Sequence, residues 1–452
     1  MSPEAEAVLA QLRPYPEDGT RADGPVAVDA TDRLLLDEAA GPISAGTDRV
    51  VVIGDRFGAL SLGCLALGAR QVDVQTDAIT AEAALDANSR RANRTLWDGH
   101  VANTADPHDP APLGMTVHDA LAPGLLRGAR LVLLQLPPSL AELTEVAEYV
   151  ARYADPSVTL LAGGRVKHMT HAMNDVLGAS FEQVGASLAR QKSRLLIARG
   201  PRTARGPLTY PVTAQIDDRE VLHAATPRST AGGRTGPAAL TVVAHGAAFA
   251  GAGLDLGTRF LLAQADRWPD LPSTGTDPAP ARRHPPGLLR QPASYQVPDD
   301  RPVAVDLGCG TGILATVLAL RFRGSHVIAT DRSAAACASA RATLAANGVQ
   351  AAVLRDDAGS ELPDACADLV LLNPPFHDRA ALSTDAAHRM FATAGRILRD
   401  GGELWTVFNT PLRYRGALER AVGPTEHIAQ NRKFTVTRSV RKLLTDLSVI
   451  DG

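Results

Sequence analysis

The sequence predicts an α/β chain of two tandem Rossmann-like domains, the first degenerate and the second complete. Three observations predict this layout. Short apolar runs alternate with helical patterns through both halves. A glycine-rich turn follows the first strand of the C-terminal half, in "VAVDLGCGTG". Residues 50–93 also lie over residues 304–347 at a constant offset of 254, matching Gly54 to Gly308, Gly58 to Gly312, Asp77 to Asp331 and Asn93 to Asn347. Self-similarity of this kind marks a repeated structural unit.

The elements follow in order. In the first copy "VVVIGDRFGALSLGCLALG" reads as strand, turn and helix, and "LVLLQLPPSL" (131–140) as a buried strand that ends in a proline turn. "TPRSTAGGRTGPAA" (226–239) and the Pro/Gly/Arg-rich stretch 272–302 read as linker or surface loop. Between them "FAGAGLDLGTRFLLAQA" reads as a helix near 254–265 capped by Asp255. In the second copy "VAVDLGCGTGILATVLAL" is strand, turn and helix, and "SHVIATDRS" is a strand ending in Asp331. "AAACASARATLAAN" is a helix that stops at Asn347, and "AAVLRDD" and "DLVLLNPPF" are strands. "STDAAHRMFATAGRILRDGG" is a helix with Ser383, Thr384 or Asp385 as N-cap and Gly401 past its end, and "GELWTVFN" and "KFTVTRSV" are late strands. The expected divisions are a degenerate domain over 1–205, a connecting segment over 206–302 and a site-bearing domain over 303–446.

Composition excludes several classes. At 452 residues and 45% hydrophobic, the chain is long enough for two real cores. Net charge is −3 and the pI about 6.5, so the chain is no basic nucleic-acid coat. Cys64, Cys309, Cys337 and Cys366 form no CxxC pair, so neither a disulfide framework nor a metal site is expected, and a reducing cytoplasm fits. No uninterrupted apolar run reaches about 18 residues, so no membrane span is expected.

The chemistry concentrates in the second copy. Asp306, Gly308, Cys309, Gly310, Thr311 and Gly312 form a strand-end acid and a tight turn where a nucleoside-bearing ligand approaches the backbone. Asp331, at the end of the next strand, is placed to accept ribose hydroxyls. These residues alone leave S-adenosylmethionine and a nicotinamide dinucleotide both open, since Gly310, Gly312 and Ala315 also fit a GxGxxA fingerprint. The run Asn373-Pro374-Pro375-Phe376 favours the first. An exocyclic base amine is a poor nucleophile because its lone pair is delocalised. Two fixed acceptors, the Asn373 side-chain oxygen and the Pro374 carbonyl, hold its N–H groups and turn the lone pair outward. Phe376 stacks on the base, worth about 1–3 kcal/mol per base. Asp357 follows the third strand, where it meets an adenine amine, with Asp356 as the competing choice. His377 is given no catalytic role. Arg432, Lys433, Arg438, Arg441 and Lys442 are either a phosphate-facing cluster or a solvated edge. The first copy has Val52, Arg56, Phe57 and Gln135 where the second has Asp306, Gly310, Thr311 and Asn373, so it is expected to lack the site.

"FAGAGLDLGTRFLL", "VDLGCGTGIL", "LLNPPFHD", "GGELWTVFNTPLRYRGALE" and "EHIAQNRKFTVTRSV" together resemble the duplicated-domain bacterial ribosomal RNA guanine-N2 methyltransferases. "NPPFH" with the late "NRKF" is somewhat closer to the large-subunit enzyme. The resemblance covers most of residues 240–445 by motif and the N-terminal half by architecture. It implies that Asp306, Gly308, Gly310, Gly312, Asp331 and Asp357 bind S-adenosylmethionine, with Thr258 near its methionine end. It also implies that Asn373, Pro374 and Phe376 hold a guanine, and that the first domain helps bind ribosomal RNA or a ribosomal subunit. Three rival functions stay open: the same chemistry on adenine N6 or a protein glutamine, a nicotinamide oxidoreductase, and a non-enzymatic RNA-binding assembly factor.

Overall fold

A computed structural model describes residues 2–15, 26–98, 114–203, 206–227, 236–271, 295–298, 300–375 and 381–442, the side chains of 93–98 and 381–385 excepted. The chain divides into two compact units, Met1–Tyr210 with His245–Ala247, and Pro211–Ala244 with Ala248–Gly452.

The first unit is built on a seven-stranded sheet. Its strands are β1 (Arg49–Ile53), β2 (Gln71–Gln75), β3 (Met115–His118), β4 (Leu131–Gln135), β5 (Thr159–Arg165), β6 (Phe181–Ala186) and β7 (Ser193–Pro201). The spatial order is β3-β2-β1-β4-β5-β7-β6, parallel from β3 to β5 and antiparallel beyond.

The second unit opens with a hairpin, β8 (Val212–Ile216) and β9 (Leu240–Ala244), and has its own seven-stranded sheet. That sheet holds β10 (Val303–Leu307), β11 (His326–Asp331), β12 (Ala352–Arg355), β13 (Ala367–Leu372), β14 (Leu398–Asn409), β15 (Thr425–Gln430) and β16 (Phe434–Val440). Its order, β12-β11-β10-β13-β14-β16-β15, is that of the first unit. The repeat read from the sequence is therefore a repeat of topology, and the two-domain Rossmann-like expectation holds. Strand β10 is buried along its whole length and β13 at all but Asp368, as a central parallel strand covered on both faces must be. Separate apolar clusters fill the two sides of this sheet. Leu369, Leu371, Trp405 and Val407 face one; Val370, Leu372, Leu404 and Phe408 face the other.

Much of the 206–302 stretch packs into this second unit. Ile216, Val221, Leu240, Leu261 and Trp268 join the cluster around Leu314 and Val317. Arg321, buried in the helix Ile313–Arg321, donates to the carbonyls of Ala224 (3.1 Å) and Ala265 (3.0 Å). Asn347 caps the C-terminus of its helix and also pairs with the backbone of Thr241 in β9, accepting at 3.0 Å and donating at 2.7 Å. Residues 228–235 and 272–294 of the two loops lie outside the described residues.

Two element boundaries differ from expectation. Ser383, Thr384 and Asp385, expected as N-caps, lie inside the helix Ala381–Ile397, since Ala381 and Leu382 ahead of them are strong helix formers and extend it. Strand β14 begins at Leu398, before Gly401, which sits inside it at φ 79°. Among the described residues no helix is long and apolar enough to cross a membrane.

Candidate active site

The site is built where β10, β11 and β13 end. After β10 the chain turns through Gly310 and Gly312 in the left-handed region, at φ 52° and 80°. At Gly312 a side chain is also excluded by packing, since a Cβ would stand 2.8 Å from the Ala340 backbone. Gly310 differs: a Cβ there would meet nothing within 4 Å. Its bareness leaves open space beside the turn, which is the room a nucleoside-bearing ligand needs.

Asp331 ties the next strand to that turn. One carboxylate oxygen accepts the Gly310 N–H and the other the Ser333 N–H, each at 2.9 Å. Asp306 lies beneath, 1% exposed. Its Oδ2 accepts the Ala315 N–H at 2.8 Å, and its Oδ1 is buried without a partner. Burial, with the like charge of Asp331 adding to it and the Ala315 N–H opposing, pushes the Asp306 carboxyl up to about 7.

Asp306 therefore has a pH signature. Its folded pKa lies above the unfolded 3.8, so the fold holds this proton more tightly than the unfolded chain does. The stabilisation is full below about pH 4 and is lost as pH rises through about 7. Asp306→Asn has no such loss. It is expected to gain stability over wild type progressively from pH 4 to 8, by on the order of a few kcal/mol at about 1.4 kcal/mol per pKa unit. Thermal midpoints of both proteins across that range check it; a pH-independent difference would refute the assignment.

Asp356 and Asp357 separate cleanly. Asp356 is 2% exposed and closes its own turn, accepting from Ser360 Oγ at 2.6 Å and Glu361 N at 3.1 Å. Asp357 is partly exposed and pairs with Arg389, a residue of the helix Ala381–Ile397. Cys309 points its thiol into the apolar cluster with Ile313 and Ala315, where burial raises it well above the ordinary thiol value. Thr311 is buried beside it, at 7% exposure.

Asn373 follows directly on β13 and is held by the helix Leu256–Leu262. Its Nδ2 donates to Asp255 Oδ2 and to Thr258 Oγ1, both at 2.9 Å. Its Oδ1 is buried and unpartnered. Pro374 is buried and Pro375 exposed. Phe376 and His377 lie outside the described residues. An orphan amide oxygen, an orphan carboxylate oxygen and an open glycine turn fit a nucleoside cofactor beside an amine-bearing acceptor. Among the described residues no group of side chains could hold a metal ion.

Comparison with known proteins follows this geometry. Residues 295–438 match the methyltransferase small domain and residues 4–202 the RLMG N-terminal domain. The ribosomal RNA large subunit methyltransferase G of Streptomyces coelicolor is 31% identical over 98% of this chain and 100% of its own length. That of Ectopseudomonas mendocina is 31% identical over 91% of this chain and 93% of its own length. The chain belongs to the ribosomal RNA large subunit methyltransferase G family. The solved T. thermophilus 16S rRNA N2 G1207 methyltransferase RsmC, in complex with AdoMet and guanosine, shares the fold at a TM-score of 0.64. It is 19% identical, over 96% of this chain and 99% of that one. The resemblance read from the C-terminal motifs thus extends through the N-terminal half.

As a methyltransferase G family member, the chain carries a second internal match. "VDATDRLLL" (28–36) lies over "LDLGTRFLL" (254–262), pairing Asp29 with Asp255, Thr31 with Gly257 and Asp32 with Thr258. The two helices do the same job. In the first unit Asp29 caps Ala30–Ser44, and Gln135 at the end of β4 donates to Asp32 as Asn373 donates to Thr258. The space is filled there. Thr31 stands for Gly257 and bonds Ser193 Oγ at 2.9 Å; Arg56 stands for Gly310 and pairs with Asp29 at 3.0 Å. Asp55 takes over the bond that Asp306 makes to Ala315 N, accepting from Gly58 N and from the N–H and hydroxyl of Ser61 at 2.9, 2.8 and 2.7 Å.

Asp255, Gly257 and Arg389 were thus not read as site residues. For the first two, the signal was this match at an offset of 226. Of the basic cluster, Arg438 is committed to Glu403 inside the sheet, and Lys433 lies over the Phe434 ring at 5.2 Å.

Proposed function

We propose that this methyltransferase G family member transfers a methyl group from S-adenosylmethionine to the exocyclic N2 amine of a guanine in large-subunit ribosomal RNA. The observation that carries the reading is the Asn373 amide, fixed with its nitrogen engaged and its oxygen unpartnered. Family membership supports the cofactor and the RNA class, and the names of the curated relatives favour the large subunit.

When bound, S-adenosylmethionine supplies an electrophilic methyl on a sulfonium sulfur. Gly310 leaves space against the turn, and Asp331, braced by two backbone N–H groups, accepts the ribose hydroxyls. Asp357 accepts from the adenine amine, while Asp306, Gly308, Cys309, Thr311 and Gly312 shape the turn beneath. Thr258 touches Asn373 directly and so joins the cofactor side of the site to the acceptor side.

Asn373 Oδ1 accepts one amine N–H and the Pro374 carbonyl the other. With both hydrogens held, the nitrogen lone pair points out of conjugation and toward the methyl. The amine loses one proton to water once its new N–C bond exists. Phe376, by its place after the proline turn, stacks on the base. The target base has to be unpaired or flipped out to reach this turn.

The test is mass spectrometry of ribosomal RNA nucleosides from a deletion strain and its parent. Loss of N2-methylguanosine from the large subunit, restored by the gene, is expected. Loss of N6-methyladenosine instead, or unchanged RNA with a lost glutamine methylation, would move the same chemistry to another amine. An unchanged profile throughout would leave the RNA-binding factor reading.

A further inference from the structure

We infer that Asp255 is a positioning residue for methyl transfer: it acts through Asn373, selecting which end of that amide faces the target amine. The inference rests on the base-amine reading above.

The two ends of an asparagine amide are nearly the same shape, so packing alone does not choose between them. Hydrogen-bond chemistry does. Both hydrogens of Asn373 Nδ2 are used, one by Asp255 Oδ2 and one by Thr258 Oγ1, each at 2.9 Å. An ionised carboxylate only accepts. Turning the amide over would set Asn373 Oδ1 against Asp255 Oδ2, two acceptors face to face. The remaining orientation leaves Oδ1 unpartnered, and an acceptor is what an amine requires.

The same Oδ2 also accepts the Thr258 N–H at 2.9 Å, so the helix cap and the amide share one anchor. Gly257 keeps the arrangement uncrowded: a Cβ there would stand 3.0 Å from Asp255 Oδ2 and 3.3 Å from Asn373 Oδ1. The first unit lacks this coupling. There Asp29 gives one oxygen to its own helix and the other to Arg56, and Gln135 turns to Asp32 instead.

Full-length variants separate positioning from capping. Asp255→Asn keeps an oxygen able to accept from both Thr258 and Asn373. Asp255→Ser still caps the helix but is too short to reach Asn373. Gly257→Ala leaves every donor and acceptor in place and crowds the pair. Three quantities are measured: the single-turnover rate on unmethylated large-subunit RNA, S-adenosylmethionine affinity by calorimetry, and the thermal midpoint.

Asp255→Ser is expected to lose at least about tenfold in rate while cofactor affinity stays within about threefold, and Asp255→Asn to recover most of the rate. Gly257→Ala is expected to lose rate while staying folded. An Asp255→Ser rate within about twofold of wild type, or a rate loss matched by an equal affinity loss, overturns the inference. If Asp255→Ser does not fold, a folded Gly257→Ala at the wild-type rate overturns it. Wild-type protein inert on the RNA overturns the guanine reading and this inference together, whereas active wild type with an indifferent Asp255→Ser overturns this inference alone.

Discussion

Asn373→Ala is expected to lose at least about a hundredfold in single-turnover methyl transfer, about 2.7 kcal/mol, with S-adenosylmethionine affinity nearly unchanged. The substitution removes the buried, unpartnered Asn373 Oδ1, the acceptor on which the proposed reading rests. Holding that amine with its lone pair turned outward matters only as the new bond forms, so the loss falls on the rate rather than on cofactor binding. The fold should survive. Asp255 Oδ2 keeps the Thr258 N–H when the Asn373 donor is gone. Gln135→Ala at the corresponding position of the first unit breaks only the bond to Asp32 and should leave the chemical step intact. Saturating RNA and cofactor isolate that step. If Asn373→Ala keeps more than about half the wild-type rate there, the proline turn is a turn and nothing more.

Asp331→Ala is expected to weaken S-adenosylmethionine binding roughly ten- to a hundredfold, the scale of a lost charge-assisted hydrogen bond at about 1.5–3 kcal/mol. Two losses combine. The ribose loses its acceptor, and the Gly310 and Ser333 N–H groups lose theirs, so the turn relaxes as well. Asp77→Ala, at the same place in the first unit, should leave cofactor affinity alone, because Arg56 stands there in place of the bare Gly310. Calorimetry on both variants decides; equal effects would contradict a first copy without a site.

What the sequence made legible was whatever a strict period or a backbone requirement writes locally. The offset between the copies, the buried runs of β10 and β13, the positive-φ glycines and the Asp255 cap all belong to that class. The β8–β9 hairpin was hidden because the helix Arg219–Ala225 and a loop separate its two strands and its partner Asn347 lies about a hundred residues on. That Asp356 rather than Asp357 closes the turn depends on which side chain finds Ser360, a matter of turn geometry. Cys309 read as part of the turn, and its backbone is; only the alternation of the chain decides that its thiol faces the core. Asn373 was legible as the residue that ends the buried strand, but its partners Asp255 and Thr258 come from a helix more than a hundred residues earlier.

Asp55 makes the divergence of the first copy an evolutionary ratchet. Its carboxylate, pushed up by burial, satisfies three donors. A mutation returning Arg56 to glycine would leave Asp55 in the place of Cys309 at the turn. A mutation removing Asp55 first would strand buried donors, each at a cost of about 1–3 kcal/mol, with Thr31 and Gln135 still in the way. Every single backward step is thus penalised before any ligand can reward it.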